Sequence, residues 1–294
     1  MKKTIYYWSP YLSKIATIKA TLNSAISFAK YSNLYDVTII NVCGEWNNYK
    51  DYLLTNKVKV KNLSFNYYNL LPKSGFLKSR ISNLIIVLIS LIPLIFFMKK
   101  KKPDFFIIHL ITSLPLVLSN LFKPETKLIL RISGFPKLNF LRKKLWKFSE
   151  SKIFRVTCPT EDLKKSLIDK NIFDKKKIFR LYDPVININQ FVEKKNMKNN
   201  ISCKGEKGET DFFIAVGRLT KQKNFIYLVK EFKKFLDLHP NEKLLIFGEG
   251  ELKTKILNEI KNNKISKNIK LCGYTDNIYN YMINSKCFIL SSLW

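Results

Sequence analysis

Three times in the last third of this chain an apolar run ends on a glycine and passes into a segment of helical periodicity, at Val216-Gly217, Phe247-Gly248 and Cys272-Gly273. That rhythm restricts the fold severely. A strand that is apolar throughout needs cover on both faces, and the helix following each strand supplies it. A glycine at the strand's C-terminal end lets the backbone turn there. The expected product is an α/β fold with a parallel sheet that binds ligand along its C-terminal edge. The strands read as a run ending at Val216, then Leu244 to Phe247 and Ile269 to Cys272, with a helix carrying Leu252, Ile256, Leu257 and Ile260 on one face between the last two. A further helix and a strand close with Phe288 to Trp294.

The first of these turns carries the chemistry. In Val216-Gly217-Arg218-Leu219-Thr220-Lys221-Gln222-Lys223 a glycine turn holds an arginine and, five residues on, a lysine. The helix after it places Phe225, Leu228, Val229, Phe232, Phe235 and Leu236 at helical spacing and stops at His239-Pro240. Two fixed cations beside a helix N-terminus suit a phosphate or diphosphate, because unpaired backbone N–H groups and the helix dipole add to the side-chain charge. Taken alone, the turn reads equally well as a solvated basic loop.

The first half of the chain repeats the pattern. Strands are predicted at Thr4–Trp8, Val37–Val42, Val58–Leu63, Phe105–Leu110, Leu128–Ile132, Ile153–Cys158 and Ile178–Leu181. Ser9-Pro10-Tyr11-Leu12-Ser13 leads from the first of them into a helix with Ile15, Ile18, Leu22, Ile26 and Ala29 at helical spacing, and Thr160 is a predicted N-cap. Length suggests two domains. We expect one over 1–185, a polar, lysine-rich linker over 186–210 with glycines at 205 and 208, and a second domain over 211–294, with an acceptor site in the cleft between them.

The runs GRLTKQKN, LLIFGEGEL, IKLCGYTDN and FILSSLW, in this order and spacing over 211–294, resemble the C-terminal domain of the retaining GT-B glycosyltransferases of family 4, the glycosyl transferases group 1 domain. The resemblance implies two Rossmann-like domains, the second incomplete here. It implies that Gly217, Arg218 and Lys223 hold the diphosphate of a nucleotide sugar, and that Gly248, Glu249, Gly273 and Tyr274 border the nucleotide. The family carries an acidic E-x7-E motif just beyond a segment like Ser291-Ser292-Leu293-Trp294, where this sequence stops. The expectation is therefore a fragment of a longer enzyme, inactive by itself.

In the first half the family often has a glycine-rich loop after the first strand, and this chain has Ser9-Pro10-Tyr11-Leu12 instead. Where the family often has a histidine in a T-x-H-G turn, this chain reads Arg131-Ile132-Ser133-Gly134, with serine in the histidine position. His109, Arg131 and Ser133 are the candidate catalytic residues. His109 reads either as a cleft residue or as filling at a strand end, and Arg131 either as a cleft cation or as a surface partner for a carboxylate.

Composition bears on partners. With 52 Lys and Arg against 22 Asp and Glu, the net charge is +30, which attracts polyanions. Leu84 to Met98 is apolar except for Ser90 and Pro93 and runs into Lys99-Lys100-Lys101-Lys102. At 15 residues it falls short of a span of ~20. We expect a buried or interface-lying helix with a tetralysine anchor on an anionic membrane surface, and no nucleic-acid partner. The five cysteines, Cys43, Cys158, Cys203, Cys272 and Cys287, lack C-x-x-C spacing, which predicts a reducing cytosol and no zinc site. No cofactor or metal is expected, Arg218 and Lys223 doing a metal's work at the leaving diphosphate.

The combined expectation is a retaining hexosyl- or N-acetylhexosaminyltransferase, cytoplasmic and peripheral on the inner face of the cell membrane. It would use a nucleotide sugar and a lipid-linked acceptor to build cell-surface polysaccharide such as lipopolysaccharide. The alternatives are a basic nucleic-acid-binding α/β protein and an inactive transferase-like protein.

Overall fold

The computed structural model describes residues 2–12, 16–72, 76–122, 125–136, 138–184, 186, 188–196, 212–275 and 277–293. The chain divides into two compact units, Met1–Ile186 and Asn187–Trp294.

The first unit runs β1 (Lys3–Trp8), α1 (Ala16–Tyr31), β2 (Tyr35–Asn41), α2 (Lys50–Thr55), β3 (Lys59–Asn62), α3 (Phe76–Lys101), β4 (Phe105–Ile108), α4 (Ser113–Phe122), β5 (Lys127–Arg131), α5 (Phe140–Ser149), β6 (Ile153–Cys158), α6 (Glu161–Asp169) and β7 (Ile178–Arg180). Among the described residues its strands lie in the order β3-β2-β1-β4-β5-β6-β7, each pairing parallel. The order reverses between β1 and β4, so their C-terminal ends open a crevice suited to ligand. Alternation along β1 builds the two faces. Ile5 and Tyr7 pack with Ile18, Leu22 and Ile26 of α1, whereas Trp8 packs with Ile86 and Leu94 of α3 and Leu116 of α4. Burying an aliphatic or aromatic side chain of this size stabilises by roughly 1.5–3 kcal/mol.

The second unit runs α7 (Ile188–Asn196), β8 (Phe213–Val216), α8 (Phe225–Leu238), β9 (Leu244–Phe247), α9 (Lys253–Asn262), β10 (Ile269–Gly273), α10 (Ile278–Ile283) and β11 (Cys287–Phe288). Its strands pair in parallel in the order β10-β9-β8-β11, so here the reversal falls between β8 and β11. Phe225, Leu228, Val229, Phe232 and Leu236 of α8 are buried, as their spacing requires. Thr160 caps α6, its Oγ1 accepting from the Leu163 N–H at 3.2 Å.

Four expectations change. The apolar helix is much longer than Leu84–Met98, because α3 spans 26 residues and continues through Pro93. Proline removes one N–H bond, but Ile86 on one side and Leu94, Phe97 and Met98 on the other are anchored in the core, which holds the helix across the gap. Leu77–Lys101 is long and apolar enough to cross a membrane by length and composition, with only a third of its most apolar window buried in the unit. Second, Leu257 does not share the buried face of α9; Ile256 and Ile260 do. Third, the start of the expected linker is helical. Asn277 Nδ2 donates to the Lys194 carbonyl at 2.8 Å, and the rings of Phe191 and Tyr279 meet edge to face at 5.1 Å, joining α7 to α10. Residues 197–210, with Gly205, Gly208 and Cys203, lie outside the described residues, as do Ser13 and Ile15. Last, Asn224 in the left-handed region separates the basic turn from α8. Cys43 and Cys158 are buried, Cys272 is half-buried and Cys287 is exposed; none of these four forms a disulfide among the described residues.

Candidate functional site

In the second unit the functional turns are packed into one another by backbone contacts. Gly217 N–H donates to the Phe247 carbonyl at 2.9 Å, Leu219 N–H to the Glu249 carbonyl at 3.0 Å, and Gly248 N–H to the Gly273 carbonyl at 2.8 Å. The turns after β8, β9 and β10 are thereby tied side by side along the C-terminal edge of the sheet. Glycine is required in this packing. Gly248 sits at φ +139°, and a Cβ there would fall 1.8 Å from the Gly217 carbonyl oxygen. A Cβ on Gly250 would meet the Leu219 carbonyl oxygen at 2.5 Å.

Onto that frame the structure brings the predicted cations. The methylene stem of Lys223 lies over Gly217, its carbons 3.1 Å from where a Cβ would stand. Arg218 is exposed and reaches Gln222 Oε1 only weakly, at 3.4 Å. Glu249 pairs with Lys253 at 3.2 Å, and its Oε1 lies 3.1 Å from the position of a Cβ on Gly273. Tyr274 is 60% exposed beside them. Gly217, Lys223, Gly248, Glu249 and Gly273 therefore share one edge. Sequence reasoning missed what holds the lysine end of the turn. Ser291 Oγ donates to the Lys223 carbonyl at 2.9 Å, and Leu293 N–H donates to the Gln222 carbonyl at 2.8 Å. The signal available was the serine pair after β11, across the switch point from β8. Thr220 Oγ1 and Ser292 Oγ are buried here without a hydrogen-bond partner among the described residues.

In the first unit His109, Arg131 and Ser133 converge on one cavity of about 610 Å³ at the C-terminal ends of β4 and β5. His109 is 8% exposed, and its N–H extends the β1 ladder by donating to the Trp8 carbonyl at 2.9 Å. Its Nδ1 lies 3.2 Å from Thr21 Oγ1. Thr21 Oγ1 donates to the Thr17 carbonyl at 2.9 Å and also lies 3.2 Å from Ser9 Oγ, an arrangement that favours the tautomer in which Nδ1 donates to Thr21 and Nε2 is an acceptor. Burial, and then the nearby Arg131 charge, pushes the imidazole down to about 3, so it stays neutral in the physiological range. Arg131 is a paired cation as well as a cavity residue, since Nη2 donates to Asp183 Oδ1 at 2.6 Å. Its Nη1 and Ser133 Oγ are buried without a partner among the described residues. Asp183 and Thr21 were not legible as site residues, since neither belongs to a motif and both act only through the folded neighbourhood.

The model of the glycosyl transferases group 1 family matches residues 196–294. The group 1 segment is 42% identical over 82 residues to an uncharacterized glycosyltransferase of Methanocaldococcus jannaschii, covering 28% of this chain and 20% of that protein. Over 83 residues it is 35% identical to the N-acetylgalactosamine-N,N'-diacetylbacillosaminyl-diphospho-undecaprenol 4-alpha-N-acetylgalactosaminyltransferase of Campylobacter jejuni, covering 28% of this chain and 22% of that enzyme. The chain thus spans about a fifth of each of these curated relatives. Across both units, Anabaena HepE solved with UDP and glucose has the same fold, with a TM-score of 0.63 at 12% identity over 99% of this chain and 74% of that one. The two parallel Rossmann-like sheets, each taken by itself, are those of the GT-B fold.

Proposed function

We propose that this protein transfers a hexosyl or N-acetylhexosaminyl residue, with retention, from a nucleoside-diphosphate sugar to a lipid-linked glycan acceptor in cell-surface polysaccharide synthesis. The observation that carries the reading is the Lys223 stem lying on Gly217, in the same turn as Arg218, at the C-terminal edge of a parallel sheet. Two cations so placed take the charge that develops on a leaving diphosphate, and the reading needs no metal for that task. A UDP-bound neighbour of the same fold supports the donor class, and the undecaprenol-linked substrate in the Campylobacter enzyme's name supports the acceptor class. Retention is carried over from the family resemblance.

The reading includes a cytoplasmic enzyme peripheral on an anionic membrane. Leu77, Ile81, Leu84, Leu88, Ile92 and Phe96 are more than half exposed along α3, ahead of Lys99–Lys102. An exposed apolar stripe beside a basic cluster suits an anionic lipid surface.

The test is nucleotide-sugar binding by calorimetry across UDP-, GDP- and ADP-sugars, for wild type, Arg218→Ala and Lys223→Ala. The expected result is binding of one nucleotide class, weakened about tenfold or more in each variant, since hydrogen bonds to charged groups contribute about 1.5–3 kcal/mol. Binding of none, or equal binding by all three proteins, sinks the reading.

A further inference from the structure

Lys223 keeps its place over Gly217 only while its own backbone is held, because a flexible four-carbon stem does not fix where it starts. Within the turn one bond serves that end, the Lys223 N–H donating to the Thr220 carbonyl at 3.1 Å. The next residue, Asn224, sits at φ +54°, a left-handed break between the turn and α8. Such a conformation persists where surrounding contacts over-determine it. The carbonyls of Lys223 and Asn224 flank the break, and the second also accepts from the Leu228 N–H at 3.2 Å as α8 begins.

The contact that spans this break comes from across the switch point. The Ile289 N–H donates to the Ile214 carbonyl at 2.8 Å, which carries the β11 ladder past Phe288 and brings Ser291 to the turn. Ser291 is half-buried; its hydroxyl donates to the Lys223 carbonyl at 2.9 Å and lies 3.4 Å from the Asn224 carbonyl oxygen. One side chain thus bridges the junction of turn and helix. Two residues on, the Leu293 N–H holds the Gln222 carbonyl at 2.8 Å. That bond and the β8–β11 pairing are made by backbone, so both survive removal of the Ser291 hydroxyl. What depends on the hydroxyl itself is the placement of Lys223.

We infer that Ser291 is a positioning residue for the diphosphate, acting through Lys223 rather than by contact with the ligand. Its hydroxyl sets where the lysine stem starts, and so where the ammonium meets the phosphate oxygens. The assignment rests on the reading of Gly217–Lys223 as the diphosphate turn. Preorganisation is its physical basis. A cation already held in place loses less freedom when the anion arrives, so releasing its backbone weakens binding without removing any charge.

The test is calorimetry on the full chain with UDP, GDP and ADP, and with the matching nucleosides in competition. The proteins are wild type, Ser291→Ala, Ser291→Thr, Lys223→Ala and the double variant Ser291→Ala with Lys223→Ala, each checked by thermal melt. Ser291→Ala should weaken the nucleoside diphosphate that binds about fivefold, the equivalent of one neutral hydrogen bond, and leave its nucleoside unchanged. Ser291→Thr keeps the hydroxyl and should stay close to wild type. The double variant should bind no more weakly than Lys223→Ala alone, since the hydroxyl acts through that lysine. Losses that multiply in the double variant, or an equal loss for the nucleoside, would make Ser291 a structural residue of the unit and overturn the assignment. If Lys223→Ala weakens the diphosphate and Ser291→Ala does not, this assignment alone fails. If no nucleoside diphosphate binds, or Lys223→Ala spares the one that does, the diphosphate reading fails and the assignment with it.

Discussion

Arg131 Nη2 donates to Asp183 Oδ1 at 2.6 Å, joining the end of β5 to the segment after β7 through a guanidinium that is 4% exposed. Desolvating an arginine to this degree is costly, and Asp183 offsets the cost by supplying both charge and a hydrogen bond. Breaking such a pair from one side leaves a buried charge uncompensated, which typically costs roughly 3–5 kcal/mol. Asp183→Asn is therefore expected to destabilise the protein by about that amount in urea unfolding. Arg131→Met combined with Asp183→Asn should recover much of the loss. A double variant no more stable than Asp183→Asn would mean that the guanidinium's own packing, and not the uncompensated charge, dominates.

His109 makes stability depend on pH. Its folded pKa is about 3, lowered first by burial and then by Arg131, against an unperturbed 6.5. Above pH 6.5 both folded and unfolded forms are neutral and the residue adds no pH dependence. As pH falls from 6.5 toward 3 only the unfolded form takes up the proton, so stability is lost progressively across that window, at up to ~1.4 kcal/mol per pH unit. His109→Gln should flatten the pH dependence of unfolding free energy between those limits relative to wild type. Parallel curves for the two proteins would show that the imidazole protonates readily in the folded state.

Where the sequence was legible, it was so because one backbone rule governs the position. Apolar strands ending on Gly217, Gly248 and Gly273 foretell a parallel sheet and the edge that binds, since glycine marks the points where turns touch. The basic turn was legible because Arg218 and Lys223 flank one of those glycines. The length of α3 was not, because Lys78, Arg80, Ser82 and Asn83 break the apolar pattern ahead of Leu84 and lysines follow Met98, while the helix runs on through both, with the Ser82 hydroxyl bonding back to the Lys78 carbonyl. The Arg131–Asp183 pair was hidden for another reason. Its members are 52 residues apart in the chain, and only the adjacency of β5, β6 and β7 brings them together.

Gly248→Ala tests the interlocked turns. A methyl at φ +139° adopts a conformation that L-residues rarely take and would stand 1.8 Å from the Gly217 carbonyl oxygen, so the backbone of one turn has to move. Strain and overpacking together are expected to cost roughly 2–4 kcal/mol. Because the displaced atom belongs to the turn proposed to hold the diphosphate, nucleotide affinity should fall with stability, although residue 248 carries no charge. Denaturant unfolding and UDP titration on the same sample measure both. A stable variant with intact UDP affinity would show that the turns are not rigidly coupled.

The membrane contact proposed for α3 would combine two contributions that respond differently to salt. Leu84, Leu88 and Phe96 are 57%, 60% and 67% exposed, so replacing all three with Gln should change unfolding free energy little, since the packed face with Ile86, Leu94 and Phe97 is untouched. The same triple variant should lose binding to phosphatidylglycerol-containing vesicles at every ionic strength, because the apolar contribution is not screened. Lys100→Ser with Lys101→Ser should instead weaken binding only at low salt, by roughly thirtyfold at about 1 kcal/mol per lysine, with the difference vanishing as the Debye length shrinks to ~3 Å near 1 M. Vesicle sedimentation across a salt series checks both. A triple variant that still sediments like wild type would remove α3 as the membrane contact, whatever the lysines do.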